Sequence, residues 1–367
     1  MIPVNEPVIG EAERRYVLEC LETGWVSSAG RFIEAFEEAW AGYCGVRHGV
    51  AVSNGTAALQ LALAAAGLDP GSEVVLPTFT IVSCVLAVLY SGLVPVLVDA
   101  DPDTWCMDVA SLEERIGPRT RAIMPVHIYG HPVDMDPVRK IADACGLIVI
   151  EDAAEAHGAT YKGKRCGSLG DMSCFSFYAN KVVTTGEGGM VLTDDDGLAR
   201  KLRDMRNLCF GTPDRFRHED LGFNFRMTNI QAALGLAQVE RIDSLVARKR
   251  EIASRYTDGL QGLPLRLPVE REWATSVYWM YGVVLEPAAG MDAREFAARL
   301  ADKGVDTRPF FFGMHEQPAL LKRGLFAGER YPVAEHLARY GLYLPSGLAL
   351  TEGQQEQVIS AVREVLA

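Results

Sequence analysis

Lys181 follows Cys174, Phe175, Phe177 and Tyr178, an apolar and aromatic run that reads as a buried strand ending at Asn180. The next acidic residue along the chain is Glu187. Gly186, Gly188 and Gly189 permit a tight backbone before a second apolar run, Met190 to Thr193. A lysine held between apolar strands loses solvation, which favours its neutral amine. A neutral amine condenses with an aldehyde to form a Schiff base. Taken alone, the residue reads equally as a surface lysine in a loop.

Two other stretches could serve the same chemistry. Ser53-Asn54-Gly55-Thr56-Ala57-Ala58 closes a strand and opens a helix, so backbone N–H groups and a threonine hydroxyl sit at a helix start. That is either an anion site or an ordinary cap. The strand Leu147-Ile-Val-Ile-Glu-Asp152 ends in a carboxylate, with Glu155 and His157 just beyond. A buried carboxylate needs a partner. Asp152 is either a capping residue or the partner of a protonated ring nitrogen. An anion site, a strand-end aspartate and a desolvated lysine are together the parts that hold pyridoxal phosphate.

The elements that must position these residues are legible as alternation. Short apolar strands near 49–53, 73–76, 94–98, 121–126, 147–151, 173–178 and 189–193 alternate with helices near 55–66, 80–90, 136–145 and 195–208. This predicts an α/β fold with a mostly parallel seven-stranded sheet covered on both faces, and ligands bind such sheets at the carboxyl ends of their strands. Residues 11–22 and 31–43 read as amphipathic helices, with Phe32, Phe36 and Trp40 on one face. Thr228-Asn-Ile-Gln231 has the form of a capping box and opens a helical pattern running to Leu260. As one helix it would be about 50 Å long, suited to joining a large domain, 1–245, to a smaller α+β domain, 246–367.

The 367 residues are 49% hydrophobic, enough for a sizeable core. A net charge of −12 without a basic block argues against nucleic acid and anionic membrane as partners. Eight cysteines with no Cys-x-x-Cys pair, together with an N-terminus lacking a signal peptide's pattern, imply a cytoplasmic protein. Gly158 to Lys164 imitates a nucleotide-binding loop, but Arg165 stands where a Ser or Thr is needed, so a hairpin is expected. Asp99-x-Asp101-x-Asp103 lacks the glycine and closing glutamate of a calcium loop, and Gly130 and Pro132 argue against a helix aligning His127 with His131. No metal is expected.

Longer motifs carry a resemblance. Gly24-Trp-Val-Ser-Ser, Val52-Ser-Asn-Gly-Thr-Ala-Ala-Leu, Ile123-Met-Pro-Val-His-Ile-Tyr-Gly, Ile150-Glu-Asp-Ala-Ala-Glu-Ala-His-Gly, Phe175-Ser-Phe-Tyr-Ala-Asn-Lys, Thr184-Thr-Gly-Glu-Gly-Gly-Met and Gly222-Phe-Asn-Phe-Arg-Met-Thr-Asn occur in this order. Across nearly its whole length the chain resembles the DegT/StrS-type nucleotide-sugar aminotransferases, fold-type I pyridoxal-phosphate enzymes. The resemblance implies that Lys181 bonds the cofactor, Asp152 keeps its ring nitrogen protonated and Glu155 lies near its phenolic oxygen. It implies that Gly55, Thr56 and Ser176 bind the phosphate and that Asn224 reaches it from a neighbouring subunit of a homodimer. At the position of Ile81 the family usually has an aromatic residue that stacks on the cofactor ring; either Ile81 makes an apolar contact instead or Phe79 moves in. A related branch that dehydrates sugars has histidine in place of the lysine.

The implied reaction moves an amino group from L-glutamate to the ketone of a nucleotide-diphosphate keto sugar. Thr307-Arg-Pro-Phe-Phe-Phe312 and Met314-His-Glu-Gln-Pro318 are similar to the GDP-perosamine synthase group, which aminates C4 of GDP-4-keto-6-deoxymannose, although Phe312-Gly313 stands where that group often has Tyr-Pro. Trp25, Ser27, Arg308 and His315 are the candidate substrate contacts; Arg308 and His315 read equally as packing residues. The alternatives are a UDP- or dTDP-linked 4-keto or 3-keto sugar aminotransferase, and a non-catalytic ligand-binding relative.

Overall fold

The structure is a computed structural model describing residues 1–210 and 214–367. Two N-terminal helices, α1 (Glu11–Thr23) and α2 (Arg31–Cys44), precede the first strand. Phe32, Phe36 and Trp40 are buried along one face of α2, as their spacing requires. The strands β1 (His48–Val52), β2 (Glu73–Pro77), β3 (Val94–Val98), β4 (Thr120–Ile123) and β5 (Ile148–Asp152) alternate with α3 (Gly55–Ala66), α4 (Val82–Tyr90) and α5 (Met135–Cys145). A hairpin, β6 (Thr160–Tyr161) and β7 (Lys164–Arg165), leads to β8 (Met172–Ser176), β9 (Gly189–Thr193) and α6 (Asp196–Arg206).

Seven strands form one sheet in the order β1-β9-β8-β5-β4-β2-β3. Pairing is parallel from β8 to β3, while β9 runs against both β8 and β1. The expected mostly parallel sheet is therefore present. Its strands are apolar on both faces because helices cover both sides. The stretch resembling a nucleotide-binding loop is the β6–β7 hairpin, whose turn residues Lys162 and Gly163 both have positive φ. Asp101 is spent on its own turn, accepting from the N–H groups of Asp103 and Thr104.

The pattern from Thr228 to Leu260 is two helices, α7 (Asn229–Val239) and α8 (Ile242–Leu260), not the single long one expected. The capping box at Thr228 and Gln231 forms. The break falls at Arg241, which leaves helical geometry at φ −126°. Its guanidinium is drawn to the buried Glu13 of α1, Nε to Oε1 2.9 Å, and to the Val8 carbonyl. A charged anchor to a fully buried carboxylate outweighs two residues of helix propensity.

Beyond α8 lie β10 (Leu265–Arg266), β11 (Ala274–Thr275), β12 (Tyr281–Leu285), α9 (Ala293–Asp302), β13 (Arg308–Pro309), α10 (Pro318–Leu321), α11 (Pro332–Tyr340), β14 (Gly341–Leu344) and α12 (Glu352–Leu366). Strands β10-β12-β14-β13 make an antiparallel sheet. One of its faces shares a second core with α8, α9 and α12, built on Ile252, Tyr256, Tyr281, Phe296, Leu342 and Val358. Among the described residues no helix is long and apolar enough to cross a membrane.

Candidate active site

The carboxyl ends of β5 and β8, the start of α3 and the approach to β12 enclose a cavity of about 730 Å³. Gly55, Thr56, Asp152, Glu155, Ser176 and Lys181 all line it. They come together because parallel strands deliver their end residues to one edge of the sheet.

Lys181 sits in the tight turn after β8, its N–H donating to the Tyr178 carbonyl at 2.9 Å. Its side chain is 10% exposed, and its Nζ lies 3.6 Å from Glu155 Oε1. Sequence neighbours offered no acidic partner; the fold supplies one from 26 residues away. Burial pushes the Lys181 amine below its ordinary value, against the pull of Glu155 and Asp152. Burial also pushes the Glu155 carboxyl up to about 7, against the pull of Lys181 and the Tyr129 N–H that Oε2 accepts. The shifts run in opposite directions, the amine down and the carboxyl up, so burial favours the neutral form of each.

Asp152 is 3% exposed. Its Oδ1 accepts from the Ala154 N–H at 3.0 Å and its Oδ2 from the Cys84 thiol at 3.0 Å. Across the cavity Asn54 caps α3, accepting from the Ala57 N–H at 2.8 Å. The cap leaves the first N–H groups of the helix directed outward. Thr56 Oγ1 donates to Ser83 Oγ at 2.8 Å. A methyl group at Gly55 would come 2.7 Å from Ser176 Cβ. The helix start and the β8 end are therefore pressed together, and only a residue without a side chain fits. A helix N-terminus flanked by Thr56, Ser83 and Ser176 suits a phosphate. The nearby aspartate suits a protonated pyridine nitrogen, and the buried amine suits an aldehyde. The donor set fits pyridoxal phosphate.

Ile81 lines the cavity and is 44% exposed. Phe79 is fully buried against Tyr129, Phe310 and Phe311 and does not move in. His157 stays in the core beside Trp40, Phe175 and Phe177, where burial pushes it down to about 3.

The remaining candidates lie outside this cavity. Asn224 is exposed, while its neighbour Phe225 is on the wall. Trp25 and Ser27 are also exposed, in a loop whose carbonyls accept from the Asn229 side chain and backbone. Arg308 turns to Asp306 at 2.6 Å. His315 is buried, its Nδ1 2.9 Å from Thr78 Oγ1 and its Nε2 3.4 Å from Glu335. Sequence reasoning missed Ser83, Cys84, Trp279 and Tyr343. Ser83 and Cys84 stand within the helix predicted over 80–90, and Trp279 within a stretch of the small domain where no site residue was expected.

The DegT/DnrJ/EryC1/StrS aminotransferase family matches residues 7–363, and the chain belongs to that family. It is a pyridoxal-phosphate-dependent aminotransferase of fold type I. A GDP-perosamine synthase of Caulobacter vibrioides is 46% identical over 367 residues, covering 100% of this chain and 98% of that protein. A dTDP-3-amino-3,4,6-trideoxy-alpha-D-glucose transaminase of Streptomyces venezuelae is 40% identical, covering 92% and 89%. The crystal structure of the aminotransferase TlmJ from Streptoalloteichus hindustanus superposes with a TM-score of 0.93 at 34% identity, covering 100% of this chain and 99% of that one.

Proposed function

We propose that this enzyme aminates the 4-keto group of a GDP-linked 6-deoxysugar, GDP-4-keto-6-deoxymannose, with L-glutamate as donor. The observation that carries the choice of sugar is the 46% identity, over both full lengths, to a protein named GDP-perosamine synthase. The dTDP-sugar relative at 40% identity favours the second reading, a UDP- or dTDP-linked keto sugar.

Pyridoxal phosphate, when bound, supplies an aldehyde carbon for the amino group and a ring that withdraws electrons from the bonds made there. The chain's own residues do the rest. Lys181, its amine pushed below its ordinary value by burial, would hold that carbon and would move protons beside it as a general acid–base. Asp152 would accept from the ring nitrogen's N–H; the Ala154 N–H and the Cys84 thiol, which both donate to it, keep the carboxylate aimed. Gly55, Thr56 and Ser176 take the phosphate, and Glu155 meets the phenolic oxygen.

The exposure of Asn224, Trp25 and Ser27 supports a homodimer in which a second copy brings them to the cavity. We infer residues 1–245 as the cofactor-binding domain and 246–367 as the small domain, on the strength of the second core. Arg308 is assigned to a diphosphate or sugar oxygen and His315 to substrate recognition. The eight unpaired thiols support work in the cytoplasm.

The test is turnover of GDP-, UDP- and dTDP-linked 4-keto sugars with glutamate, read by mass spectrometry. Amination of the GDP sugar ahead of the others is expected. No amination of it alongside activity on a UDP or dTDP sugar overturns the choice. A near-visible absorbance band that Lys181→Ala abolishes separates the enzyme from a non-catalytic relative.

A further inference from the structure

The Lys181 Nζ lies 3.7 Å from the centroid of the Trp279 ring, over its face. The indole Nε1 of the same residue donates to the Asn180 carbonyl at 2.8 Å, one residue before the lysine. Asn5 Nδ2 reaches that carbonyl as well, at 3.1 Å. Trp279 is 3% exposed, lines the cavity, and lies nearly parallel to Tyr129, whose backbone N–H holds Glu155. One side chain at the approach to β12 therefore meets both the amine of Lys181 and the peptide beside it.

We propose that Trp279 is the positioning residue for Lys181: its ring face holds the lysine's cationic forms, and its N–H fixes the lysine's backbone. This rests on the reading that Lys181 carries the cofactor.

The charged and titratable groups facing Nζ are Glu155 and Asp152 from beyond and at the end of β5, Cys84 from α4, and His157 beneath. Glu155 at 3.6 Å is too distant for a good hydrogen bond. A cation stripped of water gains most from an aromatic face when it is desolvated. The ring also differs from a carboxylate in kind. It attracts a cation but cannot accept its proton, so it would steady a protonated Lys181 nitrogen without competing for that proton. Tying the Asn180 carbonyl sets the height from which the lysine reaches. Together the two contacts would keep the free amine beside the site.

The experiment is a pH titration of the near-visible absorbance of the holoenzyme, with kcat and KM measured in parallel. Trp279→Leu removes both contacts, and the midpoint of the protonated form is expected to fall by about one pH unit. kcat falls with it, with KM for glutamate little changed. Trp279→Phe keeps a ring without the N–H; its midpoint shifts less than half as far, while kcat still falls. A Leu variant whose titration superimposes on the wild type, although the band is present, overturns this inference and leaves the cofactor assignment standing. A wild-type protein without the band overturns both. If the Leu variant does not fold, biosynthetic fluorotryptophan, which weakens the ring's negative face at nearly constant shape, decides the matter. It is expected to lower the midpoint in the wild-type sequence but not in Trp279→Phe, and equal behaviour of the two overturns the proposal.

Discussion

The thiol of Cys84 donates to Asp152 Oδ2 at 3.0 Å, inside the first turn of α4, with Thr80 Oγ1 3.2 Å from the same sulfur. Both residues are buried. Burial, reinforced by the charge of Asp152, pushes the thiol well above its usual value, so it stays a donor. A hydrogen bond to a charged group is worth about 1.5–3 kcal/mol. Cys84→Ala is therefore expected to weaken cofactor retention by about tenfold, and Cys84→Ser, which keeps a donor, to stay within a few-fold of wild type. Absorbance titration of the apoenzyme with pyridoxal phosphate measures both.

Gly55 has no room for a methyl group, because Ser176 Cβ would lie 2.7 Å away and its Cα 3.3 Å. Gly55→Ala must separate α3 from the end of β8, and with them the two halves of the anion site. Inorganic phosphate is expected to raise the melting temperature of the wild-type apoenzyme and to leave Gly55→Ala unmoved. The variant's affinity for the cofactor should fall by at least about tenfold, the loss of one charge-assisted hydrogen bond.

What the sequence revealed of this site follows from locality. Lys181, Asp152, Gly55 and Thr56 stand where apolar runs stop, and parallel strands bring their ends to one edge whatever the details of packing. The partners of these residues were not legible, because they arrive through space. Glu155 reaches Lys181 across 26 positions, Cys84 reaches Asp152 across 68, and Trp279 reaches the Asn180 carbonyl across 99. The break at Arg241 was hidden for the same reason, since Glu13 lies 228 positions away and helix periodicity continues through the break. Ile81 and Phe79 were left open by sequence; the aromatic cluster of Tyr129, Phe310 and Phe311 decides between them by taking Phe79 into the core.

Glu151 occupies the position before Asp152 and is fully buried. It accepts from His127 Nε2, the N–H groups of Gly167, Leu169 and Gly170, and Ser173 Oγ. His127 Nδ1 accepts from the Val133 N–H, so the ring proton lies on Nε2 and points at Glu151. Burial pushes the Glu151 carboxyl up, but these donors outweigh it and hold the group below its ordinary value. Its folded value lies below its unfolded one. The stability it contributes is therefore present above the unfolded value and is lost as pH falls through the folded one. Glu151→Gln turns an amide toward donors and is expected to cost about 3 kcal/mol or more. In acid-unfolding curves followed by circular dichroism, the variant should lose the part of the low-pH transition that wild type shows.

Lys249 presents the opposite case. It is 3% exposed on α8, and its Nζ donates to the Ser346 carbonyl, the acceptor that holds it beside the end of β14. Burial pushes its amine from an ordinary value of 10.5 down to about 7. Because the folded value is the lower, the unfolded chain binds the extra proton first as pH falls. Stability is then present above the ordinary value and drains away as pH falls toward and through the buried one, by about 1.4 kcal/mol per pH unit. Lys249→Met keeps the length and apolar stem, gives up one hydrogen bond worth about 1 kcal/mol and removes the ionisable group. The variant is expected to melt higher than wild type near neutral pH, with the advantage shrinking and then reversing as pH approaches the ordinary lysine value. Melting temperatures of the two proteins across that range check this, and a difference that does not change with pH would show that the buried amine carries no titration-linked cost.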